Sequence, residues 1–546
     1  MTEAAVTTRA AVAAATDSIA VAAWTLVSRI TGLAKIAAIG AVLGPTFFGN
    51  TYQFTNSLPN LIFFGFLGGS LLSSLLVPAL VLHINSHDGR ACERIAGGVL
   101  GTTLLALLVV APIALMCGPM VLRLGSVGGA DGVGAAEEQV GRLLIAMFLP
   151  QLFLYAVIGT ATAAMNAHRR FALAAAAPAL ENLGIVAVLV TAASVYPAGA
   201  RVEDVPTGLL VLLGLGSTAA VLVHAAAQWW GAKRAGVTLV PRVEWHDREV
   251  RAILRRALPS LAQAGLVALQ VATLLALANR VPGGVTAFQI ALNCYFLAIA
   301  LGATPVALSL LPRLAAMHAV EDVAGFRDVV TRGMSLGVFV AVPAAVGCAV
   351  LAWPVARALA FGRMGSPVGV TMVAGALVAL AIAVVAQTVF LIATYASYSR
   401  LDVTAPLRAM CIQAASCLGL ASLTLMLHGA AVMIGLGLAF SASVVLSAGQ
   451  LVRHSLINGS GLRRSVGRVV FGAAAMALPA WVVARAASHW VSGAVGAELA
   501  LACATAAGAV VYLAVQRRLR APELTWLMGG LGQLRSRART LAAPHV

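Results

Sequence analysis

The chain has 546 residues, 60% of them hydrophobic and only 10% charged, with a formal net charge of +17. Soluble domains carry about 25% charged residues, so this composition excludes a water-soluble enzyme, a disordered chain and a disulfide scaffold. So basic a balance points to nucleic acid only when it forms a soluble basic face, and here the charges lie scattered between long apolar runs.

A helix crossing about 30 Å of hydrocarbon needs roughly 20 mostly apolar residues. Fourteen such segments follow in chain order: 18–43, 53–82, 97–122, 143–166, 173–195, 206–231, 258–279, 286–312, 334–360, 367–397, 404–428, 430–452, 467–488 and 493–515. The expected class is therefore an all-α polytopic membrane protein. Loops after even-numbered segments, with the C-terminal tail, collect 26 of the 36 Lys and Arg, from Arg90 and Arg94 through Lys233 to Arg256 and on to Arg539. Loops and helix ends facing the other way hold Arg123, Arg142, Arg201, Arg280, Arg357 and Arg363. A wrong count would scramble this alternation, so the positive-inside rule supports the count and places both termini in the cytoplasm.

Residues 1–17 read as an Ala/Thr-rich tail, and the run after them is too long for the core of a cleavable signal. The seven cysteines form no C-x-x-C pair and read as small core residues. His83 and His87 have i, i+4 spacing without a third ligand, and Gly435-Leu436-Gly437 lacks the strand that a nucleotide loop needs. Neither a metal nor a cofactor is expected, and no enzyme.

Segments 2 and 8 end alike, Leu76-Val77-Pro78-Ala79-Leu80 against Leu310-Leu311-Pro312-Arg313-Leu314, each with a histidine shortly after, His83 and His318. Segments 4 and 10 carry Ala161-Thr162-Ala163-Ala164 and Ala393-Thr394-Tyr395-Ala396, and prolines Pro178 and Pro406 follow the next basic loops. The first two offsets agree at 232–234 residues, six segments of this chain, and the prolines form a third, looser match. A six-helix repeat preserves orientation and predicts two lobes related by an axis along the membrane normal. The expected organisation is a tail at 1–17, an N-lobe at 18–232, a basic linker at 233–257, a C-lobe at 258–455, helices 13 and 14 at 456–516, and a basic tail at 517–546. From Glu523, Trp526, Leu527, Met528, Leu531 and Leu534 precede Arg535, Arg537 and Arg539, a pattern that suits an amphipathic anchor or a disordered basic tail.

Ionisable groups inside spans are costly and default to function. They are Arg29, Lys35, Arg485 and Glu181. Arg29, next to Ser28, is read as facing a cavity, while Lys35 divides evenly between cavity and interface. Arg485 is read as snorkelling to the interface. Six residues put Arg29 and Lys35 about 9 Å apart along a helix and some 120° around it, so they flank one group without sharing a stripe. Glu181, beside Asn182, is the one candidate for coupling to protons, although its place at a helix start favours a carboxylate held by the helix dipole.

Ser28-Arg29-Ile30-Thr31-Gly32-Leu33-Ala34-Lys35, Leu58-Pro59-Asn60-Leu61, Ser73-Ser74 and Val77-Pro78 resemble the MurJ (MviN) family. The likeness continues through Arg170-Phe171-Ala172, Leu311-Pro312-Arg313-Leu314-Ala315 and Ser399-Arg400-Leu401-Asp402, covering segments 1 to 12 in order. These are fourteen-helix lipid II flippases of the multidrug/oligosaccharidyl-lipid/polysaccharide exporter superfamily. The chain departs from the pattern at several charges. Ile36 and Asn50 stand where the family has aspartates, Phe63 and Phe64 where it pairs arginines, Gly68 or Gly69 at a glutamate and Asn293 near a cavity arginine. Segment 7 lacks the acid with which some members bind sodium.

The resemblance implies a flippase for a polyprenyl-diphosphate-linked cell-wall precursor, lipid II first, working by alternating access in the cytoplasmic membrane. Ser28, Arg29 and Lys35 would bind the diphosphate, Asn50, Asn60 and Asn293 would line the cavity, and Glu181 or Asp402 would serve coupling. A buried asparagine serves equally as glue between helices, and Asp402 beside Arg400 reads as a structural loop pair. Partners would be the glycan lipid, membrane lipids and cell-wall synthesis proteins, with no nucleic acid. A non-transporting scaffold of the cell-wall machinery and a cation-coupled small-molecule exporter are the competing expectations.

Overall fold

The computed structural model describes residues 3–63, 75–125, 133–197, 199–244, 246–453, 459–490 and 494–526. Thirteen described helices are long and apolar enough to cross a membrane. In chain order, α1 is Glu3–Leu43, and α2 is described in two pieces, Phe47–Ile62 and Val77–Asn85. The first half continues with α3 (Gly89–Gly125), α4 (Val133–Ala167), α5 (Phe171–Ala176, then Pro178–Val195) and α6 (Thr207–Arg234). The second half holds α7 (Arg248–Ala278), α8 (Gly284–Ala298, resuming as Thr304–Ala319), α9 (Val323–Val350), α10 (Pro367–Ser399), α11 (Thr404–Ser422) and α12 (Ala430–Arg453). Last come α13 (Gly459–Trp490) and α14 (Ala494–Arg518).

Local chemistry sets these boundaries. Thr46 Oγ1 accepts from the Gly49 N–H and opens α2, Ser366 Oγ accepts from the Gly369 N–H and opens α10, and Asp247 accepts from the N–H groups of Glu249 and Val250 to open α7. Pro178 starts the long piece of α5, where its missing N–H costs nothing. A left-handed glycine, Gly283 at φ +76°, turns the chain into α8. Two helices begin earlier than their apolar runs. α1 reaches back through the alanine-rich N-terminus to Glu3, and α7 includes residues 248–257 of the expected linker, because both stretches are rich in good helix formers.

The same helix pairs pack in both halves. In the first, α1 lies on α5, α2 and α3 on α4, α4 on α6 and α5 on α6; six helices later α7 lies on α11, α8 and α9 on α10, α10 on α12 and α11 on α12. The fold is thus two pseudo-symmetric six-helix lobes. Helices α13 and α14 pack together, with α13 against α9. A short helix, Ala352–Leu359, crosses from α9 towards α10 and touches α14.

Away from the basic loops the halves are laced together by buried amides. Asn50 of α2 donates to the carbonyls of Val281 (2.8 Å) and Asn279 (3.3 Å) and accepts from the Val285 N–H (3.1 Å). Gln289 of α8 bonds Gln53 and donates to Ser57 Oγ at 2.8 Å. Glu137, buried in α4, accepts from Thr51 and Asn279 at 3.3 Å each.

On the opposite face the chain passes from α6 to α7 as an extended strip. The Arg242 N–H donates to the Gly97 carbonyl of α3 at 3.0 Å, and Thr238 N–H to Glu93 at 3.0 Å. Gly97 and Gly101 admit this strip, since a methyl at either would strike the carbonyl of Val240 or Arg242. Arg94 of α3 pairs with Asp247 and with Glu249 (3.3 Å), and His83 lies 3.3 Å from Glu249.

Candidate substrate cavity

A cavity of about 540 Å³ lies in the first half, walled by α1, α4, α5 and α6 and touched by Asn60 of α2 and Asn293 of α8. Its residues sit on the stretches of these helices nearer the basic loops, while the amide seam closes the far side.

On α1, Ser28, Arg29 and Lys35 all line the cavity. The 120° between Arg29 and Lys35 does not part them, because the hollow wraps this helix. Arg29 is exposed, and among the described residues no carboxylate lies within ion-pair distance of it. Lys35 is partly buried, 3.8 Å from Glu181.

Glu181 occupies the first turn of the Pro178–Val195 helix and is buried. Three other helices converge on it. Besides Lys35 of α1, the Tyr155 hydroxyl of α4 donates at 3.1 Å, and His224 Nδ1 of α6 lies at 2.9 Å. A carboxylate only accepts, so Nδ1 carries the proton in this pair. The neighbouring Asn182 donates to the Ser28 carbonyl (3.3 Å) and to Thr31 Oγ1 (3.2 Å), tying α5 to α1. Gln228, one turn beyond His224, donates to the Ala174 carbonyl at 3.2 Å, and its Oε1 is buried without a partner among the described residues.

Ser28, Arg29, Lys35, Asn60, Asn293 and Glu181 thus share one space. Asn293 also donates to the Gln289 carbonyl of its own helix at 2.9 Å. Two expected site residues lie elsewhere. Asn50 is a clamp in the amide seam, because its amide meets three backbone groups at once. Asp402 accepts from the N–H groups of Thr404 and Ala405 and from the Thr404 hydroxyl at the start of α11, which fixes it in a loop. Tyr155, His224 and Gln228 went unnoticed in the sequence, although a histidine within the apolar run 206–231 was a visible signal.

The departures from the family pattern have neighbours here. Phe63, at a family arginine position, is buried and stacks on Tyr155 with ring centroids 6.4 Å apart. Ile36 is a buried wall residue of the cavity. Phe64, Gly68, Gly69, Ser73 and Ser74 lie outside the described residues, as does the tail beyond Trp526.

Behind the polar space is a second hollow of about 640 Å³, lined almost wholly by apolar side chains of α8, α9, α13 and α14. The two adjoin at single residue steps. Gly32 and Asn293 face the polar cavity, while the next residues, Leu33 and Cys294, face the apolar one.

A membrane bundle of two like halves, closed on one face and hollowed by a charged cavity towards the other, has the architecture on which alternating-access transporters are built. The profile of the lipid II flippase MurJ family matches residues 39–501, and the chain belongs to that family. It is 24% identical over 450 residues to the probable lipid II flippase MurJ of Vibrio cholerae, covering 81% of this chain and 83% of that one. The corresponding Haemophilus influenzae protein is 25% identical over 343 residues, which span 60% of this chain and 65% of that one. Among solved structures, a lipid II flippase MurJ in an inward closed conformation superposes with a TM-score of 0.70 at 14% identity, covering 92% of this chain and 99% of that one. An inward-facing multidrug resistance transporter of the MATE family, in the MOP superfamily, reaches 0.59 at 13% identity over 83% and 98% of the two chains. These matches do not favour the scaffold or the small-molecule exporter.

Proposed function

We propose that the protein translocates a polyprenyl-diphosphate-linked cell-wall precursor, lipid II, across the cytoplasmic membrane by alternating access, with both termini in the cytoplasm. The observation that carries this reading is the junction of the two hollows. An amphiphile with a charged, sugar-bearing head and a long chain needs a polar space and an apolar one side by side, and α1 and α8 divide such a pair.

Arg29 and Lys35 would hold the diphosphate, guanidinium with paired donors and ammonium as a point charge. Glu181 is the counter-ion of Lys35 at 3.8 Å, and a diphosphate entering the cavity competes with it. Asn60, Asn293 and the open Oε1 of Gln228 suit sugar hydroxyls. The prenyl chain would lie along α13 and α14. The far seam, from Asn50 to Gln289, breaks when the cavity turns to the opposite face. Cell-wall synthesis proteins remain further candidate partners, and no catalytic step is needed.

The test is reconstitution in liposomes with lipid II and, separately, a different polyprenyl-linked glycan. Lipid II should flip in the parent and fail in Arg29→Ala. Equal flipping by both proteins would remove Arg29 from the site.

A further inference from the structure

Arginines are scarce on the face away from the basic loops, as the positive-inside rule requires. Several of those present are engaged in packing or pairing. Arg280 donates to the Thr424 carbonyl at 3.0 Å, Arg142 pairs with Glu138 at 3.0 Å, and Arg363 packs against Gly44 and Gly199. Arg357 and Arg485, the latter also over the Trp481 ring, both line one pocket of about 410 Å³.

The elements that bring them there repeat a short sequence. Trp353-Pro354-Val355-Ala356-Arg357 lies on the short helix after α9, and Trp481-Val482-Val483-Ala484-Arg485 lies near the end of α13. In each, tryptophan and arginine are four residues apart and so share a helix face. All four side chains line the pocket, with Val350, Pro354, Ala484, Ala497 and Ala500 between them. The Arg485 guanidinium stands 5.7 Å from the centre of the Trp481 ring. Tryptophan belongs at the level of lipid headgroups, and guanidinium is suited to phosphate.

The pocket also continues the apolar groove. Leu351, Ala480, Ala484 and Ala504 form one buried cluster with Val350, Val355 and Leu501 against it. Leu351, Val355, Ala480, Leu501 and Ala504 face the groove, while Val350 and Ala484 face the pocket.

We propose that Arg357 and Arg485 bind the phosphate of a membrane lipid on the face opposite the basic loops; the placing of its chain in the groove between α8, α9, α13 and α14 rests on the function proposed above. The chemistry is that of a phosphate carrying a long apolar tail, met by a polyprenyl diphosphate or by an anionic phospholipid.

The whole protein in detergent, studied by native mass spectrometry, separates these sources. Phosphatidylglycerol, a polyprenyl diphosphate, the uncharged polyprenol and inorganic pyrophosphate are the probes. The double variant Arg357→Ala, Arg485→Ala should bind at least one of the two phosphate-bearing lipids about tenfold more weakly, or worse, and hold polyprenol unchanged. Arg357→Lys, Arg485→Lys should recover part of the loss. Loss confined to the polyprenyl diphosphate makes the pocket a station for the carried lipid, and loss confined to phosphatidylglycerol makes it a seat for bulk lipid. Unchanged binding of both, or equal loss of polyprenol, would overturn the proposal. So would binding of inorganic pyrophosphate as tight as that of either lipid and abolished by the double variant.

Discussion

The two halves fasten equivalent helices with different chemistry. In the first, Lys35 of α1, Glu181 of α5 and His224 of α6 meet around one buried carboxylate. In the second, Gln270 of α7 bonds Gln413 of α11 at 3.1 Å, and Ser447 of α12 bonds Gln413 at 3.0 Å. The correspondence reaches Arg29, whose counterpart by offset is Gln263, an acceptor for the Tyr398 hydroxyl at 2.7 Å. A neutral set therefore suffices to hold three such helices together. The charges of the first half exceed what the fold needs, and they border the cavity.

Exchanging the two chemistries tests that conclusion. The largest effect is expected from Gln413→Glu, which buries a carboxylate with no cation beside it among the described residues. About 3–5 kcal/mol of stability should be lost, seen as a collapse of the melting transition in detergent, and an unchanged melt would mean that the second half tolerates charge as the first does. Next is Arg29→Ala. Removing a charge-assisted contact should weaken binding of a polyprenyl diphosphate about tenfold to a hundredfold with little change in melting.

Glu181→Gln makes the first half resemble the second. Lys35 then loses its counter-ion, and a diphosphate should bind about fivefold tighter, the equivalent of about 1 kcal/mol for a partly screened pair; weaker binding would show that Glu181 touches the ligand favourably. The smallest effect concerns Asp402. The backbone N–H of Ala405 first, then the Thr404 hydroxyl and N–H and nearby Arg400, hold its carboxyl below the ordinary value. A depressed folded value stabilises above roughly pH 4 and fades as pH falls through it. Asp402→Ala should thus cost about 1 kcal/mol at pH 7, and the gap from the parent should narrow in acid melts.

Much of this architecture was legible in the sequence because bilayer physics leaves coarse marks. Apolar runs and alternating arginines define spans without any knowledge of contacts, and the Pro78 and Pro312 offset betrayed the repeat. The cavity was half legible. Arg29 and Lys35 stand out in an apolar helix, but nothing local tells that Glu181 meets a tyrosine 26 residues before it and a histidine 43 residues after it. Asn50 misled for the opposite reason. A polar residue in a span looks the same whether it lines water or clamps backbone carbonyls, and only the arrival of α7 and α8 decides between them.

The strip from α6 to α7 carries one more consequence. Its backbone is bonded along α3, and Arg94 holds the first turn of α7, so the covalent crossing between the halves contains little slack. These contacts oppose movement of the strip relative to α3. If the halves rock as proposed, the bending is expected inside α7, beyond the first turn that Arg94 holds through Asp247 and Glu249. On that reading the molecule would be a rocker with its arm fixed at one end, and a displacement of the cavity wall would reach the second half as bending of a single helix.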